Sequence, residues 1–149
     1  MKSSLRFVAT FALLALAIQA KASVNTDSNG LALEGHDPVA FFSVGVPTLG
    51  KSNLTADHEG ATYRFVSKEN RERFLADPTR FTPAFGGYCA FGAAKGKLFP
   101  VEIDTWQIKD DRLILNYNDE IKAQFNANIE SFLAKADVNW SGLKTAAKD

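Results

Sequence analysis

The chain has 149 residues, with 17 basic and 17 acidic side chains, 46% apolar residues, twelve phenylalanines and one cysteine. That is enough apolar sequence for one domain to bury a core without disulfides, and it excludes a disordered or collagen-like chain. Basic and acidic groups balance, so the composition lacks the positive footprint that a nucleic-acid binder needs.

Residues 1–22, MKSSLRFVATFALLALAIQAKA, contain the three parts of an export signal. Lys2 and Arg6 give a positive start, residues 7–18 an apolar run broken by Thr10, and Ala20-Lys21-Ala22 a small-x-small cleavage pattern. The run is about a dozen residues, too short to cross roughly 30 Å of hydrocarbon. Cleavage after Ala22 is therefore expected, giving a periplasmic or secreted chain without a membrane span. Loss of Lys2, Arg6 and Lys21 leaves 14 basic against 17 acidic groups, a net charge of −3.

Residues 23–30 are polar and read as a flexible leader, followed by one domain over 31–143 and a tail at 144–149. Asp37 is placed to cap a short helix with Pro38 at its first position, ended by Gly45 and Pro47. Strands are predicted at 54–58 and 62–66, joined at Glu59-Gly60, with Tyr63 and Phe65 on one face. Ser67 caps a helix over 68–76 that stops before Asp77-Pro78, with Phe74 and Leu75 as its buried positions. After a glycine-rich segment and a short helix through Ala93 and Ala94, a second hairpin is predicted over 105–109 and 112–117. Leu113, Leu115 and Tyr117 alternate there as in a half-buried strand. Asn118 then caps one long helix, whose apolar face carries Ile121, Phe125, Ile129, Phe132 and Ala136. Trp140 and Leu143 are expected to dock its end. The predicted fold is α+β: a single small domain with two short antiparallel hairpins packed against three or four helices.

Three stretches carry a family resemblance: GHDPVAFF (35–42), ATYRFVSKENRERFLADPTRFTP (61–83) and GGYCA (86–90). Further along come Trp106 with Ile108, LILNYN (113–118), and Lys135-Ala136-Asp137 with Trp140. In this order they resemble the YHS domain family, in particular its exported single-domain members. The resemblance implies a single exported domain. It also brings in metal handling, since YHS domains elsewhere sit beside heavy-metal transport modules with cysteines near the tyrosine–phenylalanine–serine segment. Here that segment is Tyr63, Phe65 and Ser67, with no thiol near it; Arg64 stands where histidine can occur, and His36 where tyrosine is usual.

The candidate chemistry is narrow. His36, His58 and Cys89 are the side chains for a soft or borderline metal site, and a His₂Cys set suits copper or zinc. Cys89 alone is a buried small hydrophobe, a ligand or a reactive thiol. Tyr63, Phe85 and Tyr88 are candidates to line a ligand pocket beside it. No G-x-S-x-G, P-loop, dinucleotide fingerprint or C-x-x-C occurs. The sequence thus points to an exported YHS-like binding or accessory protein, holding a metal ion, small ligand or protein partner near GGYCA. The alternatives are a thiol-based redox sensor or enzyme using Cys89, and a purely structural or interaction module.

Overall fold

The structure, a computed structural model, describes residues 23–146; the expected signal at 1–22 and the last residues of the expected tail, 147–149, lie outside them. Asp37 starts the first helix, α1 (Pro38–Ser43), as its sequence position implies: its side chain accepts from the amides of Val39 and Ala40. Strands β1 (Lys51–His58) and β2 (Ala61–Phe65) pair antiparallel, with Ala56 opposite Tyr63. Alternation along β2 sends Ala61, Tyr63 and Phe65 into the core. The Ser67 hydroxyl caps α2 (Lys68–Ala76) by accepting from Asn70, and Asp77 then caps a further short helix, α3 (Pro78–Phe81). Helix α4 (Ala90–Ala94) follows the glycine-rich segment; β3 (Gln107–Lys109) and β4 (Arg112–Ile114) form the second antiparallel hairpin. The chain ends in α5 (Asp119–Asn126), capped by Asn118, and α6 (Ile129–Ala146).

The fold is α+β with two two-stranded sheets, as expected, but the three or four expected helices become six. Two causes account for it. A single turn at Pro78–Phe81 is too short to carry a helical period, and the long C-terminal helix divides at Ala127 and Asn128. The division lets one apolar stripe serve two helix axes, with Phe125 and Phe132 stacked across the break at 6.1 Å.

Two apolar clusters make up the interior. The first gathers Phe41, Tyr63, Phe65, Phe74 and Leu113; the second gathers Phe85, Ala90, Ala93, Ile114, Phe125 and Ala136. Strand β4 runs between them, so Leu113 faces one cluster and Ile114 the other. This is why residues 113–116 are all buried instead of alternating, and why Tyr117, predicted as inward, is 48% exposed. Leu75, also predicted buried, is likewise turned outward, because Phe74 alone fills the α2 contact with β2. Of the other expected core residues, Phe65, Phe74, Leu115 and Phe125 are buried and Ile129 is half-buried.

Residues 23–30 do not form a loose leader. Ser23 and Val24 are buried, Thr26 bridges to Ala32, and the Asn25 amide donates to Gly86 O at 2.8 Å. At the other end α6 continues through Lys144 and Thr145, so the domain does not stop at 143. Among the described residues, no helix is long and apolar enough to cross a membrane.

Candidate functional site

The GGYCA segment is a wall shared by two cavities, and its glycines are there for the chain's own packing. Phe85, Gly86 and Gly87 all have positive φ, so three successive residues turn in the left-handed region. A Cβ on Gly86 would fall on the Ser23 carbonyl, well inside contact distance, and at 3.1 Å from the Trp140 ring. The bare backbone at this point admits residues 23–25, and Asn25 bonds both glycine carbonyls through its amide and its side chain. The glycine density that marked the segment in the sequence thus has a structural origin.

Cys89 is 1% exposed and sits at the N-terminus of α4. Its sulfur accepts from the Gly92 amide at 3.4 Å, and the thiol donates to Asn116 Oδ1 at 3.6 Å. The same Asn116 oxygen accepts from the Phe91 amide at 3.1 Å. Cys89 is a capping residue in a polar clamp that holds α4 against the chain after β4.

The proposed metal ligands do not converge. His36 is fixed at a turn, its Nδ1 bonded to Leu33 O at 2.9 Å, while His58 sits edge-on to Phe74 with ring centres 6.0 Å apart. Cys89 lies in a different cavity from His58. Among the described residues, no group of three histidine, cysteine, aspartate or glutamate side chains is arranged to hold a metal ion.

The predicted pocket residues fare differently. Tyr63 and Phe85 line one cleft of about 530 Å³, together with His58, Arg80, Arg112 and Trp140. Tyr88 does not line it; it is half-buried, and burial pushes its phenol above the usual range. The cleft draws on the β1–β2 hairpin tip, the stretch around α3, the β3–β4 turn and α6. Its charged groups are largely paired: Arg80 with Asp111 at 2.9 Å, and Lys144 with Glu59 at 3.1 Å. Arg112 is held by a two-point contact with Asp137 and lies over the Phe85 ring at 5.1 Å.

The Tyr63 side chain is fully buried, and its hydroxyl has no hydrogen-bond partner. Burial first, and the Glu59 carboxylate second, push its phenol far above its ordinary 10.0. The group therefore stays a neutral hydroxyl at any physiological pH. An unpaired buried hydroxyl costs free energy.

A second, apolar groove of about 620 Å³ has Cys89, Phe91, Phe99, Tyr117 and Ile121 in its walls. The chain matches no family model, and no curated protein or solved structure is similar to it. Sequence reasoning missed Arg80, Asp111, Arg112 and Trp140, which reach the cleft from positions far apart in the chain and share no local motif. Of the groove residues the sequence marked only Cys89 as a candidate; Tyr117 read as an inward strand position, and only its exposure and that of Phe99 mark the rim.

Proposed function

We propose that the chain is an exported, YHS-like binding module without catalytic chemistry of its own, and that the cleft at Tyr63 and Phe85 takes a small, neutral, hydroxyl-rich ligand of sugar size. The observation that carries this reading is the unpaired, buried hydroxyl of Tyr63, a residue of the cleft wall. A protein tolerates such a group where a bound partner completes it. The lining supports a neutral ligand over an ion. Arg80, Arg112 and Lys144 are each matched by a carboxylate, and the one lining carboxylate outside these ion pairs, Asp77, is engaged in capping α3, so the charged groups favour neither an anion nor a cation strongly. Paired guanidinium and carboxylate groups keep spare donors and acceptors, which suit a molecule offering both. Trp140, half-buried in the cleft wall, supplies an aromatic surface for the C–H groups of such a ligand.

Export follows from the N-terminal pattern, and the YHS likeness from the three stretches quoted above. The alternative of a reactive thiol has less support, since Cys89 is enclosed and its sulfur is already engaged as donor and acceptor.

The test is calorimetric titration of the full mature chain with a panel of aldohexoses, aldopentoses and their disaccharides. Acetate, phosphate and choline serve as charged controls. At least one neutral sugar should bind, and Tyr63→Phe should weaken it about tenfold while leaving the unliganded protein as stable or more stable. If no sugar binds at 10 mM, or if the charged controls bind instead, the reading is wrong.

A further inference from the structure

The apolar groove at Cys89 is built differently from the Tyr63 cleft, and it selects a different chemistry. Helix α4 forms one wall. The loop after it folds back so closely that a Cβ on Gly92 would lie 2.8 Å from Phe99 and 3.0 Å from Lys97 O. The amides of Lys95 and Lys97 both donate to Gly92 O at 2.9 Å, and the Cys89 amide donates to Phe99 O at 3.0 Å. Loop and helix are therefore stapled by main-chain bonds, and the groove between them is preformed.

Two aromatic rings form its rim. Phe99 and Tyr117 are 43% and 48% exposed, and they meet edge-to-face at 6.4 Å. Large side chains half in water around an apolar concavity mark a binding surface more often than isolated exposed residues do. Phe91 and Ile121, both half-buried, continue the apolar lining inward to Cys89.

Charge then decides the occupant. The lining includes Lys95 and Lys97 and no carboxylate, although the mature chain as a whole is expected to be acidic. Neither lysine forms an ion pair among the described residues. Lys95 is held over the Phe91 and Phe132 rings at 5.1 and 5.3 Å, at the edge of the apolar surface, and Lys97 is exposed. An apolar trough with two uncompensated cations and no anion complements a molecule with an apolar body and a single anionic head.

We infer that this groove binds a free amphipathic carboxylate, with its hydrocarbon part between Phe91, Phe99, Tyr117 and Ile121 and its carboxylate toward Lys95 and Lys97. This site is independent of the proposed sugar cleft: the two share no lining residue. Failure of one leaves the other standing.

The experiment titrates the mature chain with hexanoate, octanoate and decanoate below their micelle concentrations, by calorimetry and by following the Ile121 methyl resonances. Affinity should rise about fourfold for each added methylene, as burial of hydrocarbon requires. Octanol, which has the tail without the charge, and phosphate, which has charge without the tail, should each bind at least tenfold more weakly than octanoate. Lys97→Gln and Tyr117→Ala alter exposed side chains and should fold normally. Each should weaken decanoate at least threefold, and Lys97→Gln should leave octanol unaffected. Equal binding of octanol and octanoate, shifts confined to residues away from Ile121, or binding to anionic lipid vesicles but not to free decanoate would each overturn the inference.

Discussion

Asp37 and Tyr63 show what burial demands of a polar side chain, with opposite outcomes. Asp37 has no exposed surface, yet its carboxylate accepts from Val39 and Ala40 on one oxygen and from the Val66 amide and Asn70 side chain on the other. Sequence reasoning found the cap and missed the other two bonds, which tie the start of α1 to the residue after β2 and to α2 across about thirty residues. Tyr63 lies in the first apolar cluster with its hydroxyl unmatched. That difference should be visible at alkaline pH. An unfolded tyrosine ionises near 10.0, whereas Tyr63 in the folded chain resists ionisation. Above pH 10 the folded state then binds the extra proton, so stability that is complete below pH 10 falls as pH rises, by up to about 1.4 kcal/mol per pH unit. Tyr63→Phe removes that proton. Urea unfolding between pH 9 and 11.5 should show a shallower alkaline decline in the variant, with the Tyr88 contribution common to both proteins. Parallel slopes would mean that the Tyr63 phenol ionises freely when folded.

At the scale of elements, legibility followed locality. Helices α1 and α2 were readable because a cap, a proline and a stop signal lie within a few residues of one another. The β1–β2 hairpin was readable because β2 alternates over one buried face. Where an element meets two partners, the local signal failed. Strand β4 is buried on both sides and α5–α6 divides a single apolar stripe, and neither fact is written in the nearby sequence. The GGYCA segment is the sharpest instance, since its glycines serve contacts to residues 23–25, which sequence separation hides. Gly86→Ala tests that reading. The substitution places a side chain at φ +59° and drives it against the Ser23 carbonyl and the Trp140 ring. It should cost about 1–3 kcal/mol, read as a lower urea midpoint. Alanine at exposed Gly96, which also has positive φ but open space around it, should cost less. Equal effects at the two positions would reduce the Gly86 requirement to backbone conformation alone.

For the molecule as a whole, the two apolar clusters are joined by the strand that runs between them and by the N-terminal segment. Val24 packs in the first cluster, while its neighbours Ser23 and Asn25 lie against Gly86 and Gly87, beside Phe85 of the second. The candidate sites inherit this arrangement. The Tyr63 cleft takes Val24, Phe85 and Trp140 from both clusters, which is why only its pair of Tyr63 and Phe85 could be guessed from sequence. It also gives the proposed processing a physical test, because cleavage after Ala22 would begin the mature chain at its first buried residue, Ser23. A chain starting at Ser23 should keep full stability, and intact-mass analysis of the exported protein should find that residue first. A chain starting at Thr26 loses the buried Val24 side chain and the Asn25 bonds to both glycine carbonyls. It should unfold on the order of 10 °C lower, from roughly 2–4 kcal/mol of lost burial and hydrogen bonding. It should also weaken sugar binding at the cleft while leaving decanoate binding at the groove unchanged, since only the first of these is lined by Val24. An unchanged melting temperature would show that residues 23–25 add nothing to the fold, and the packing reason for the paired glycines would go with them.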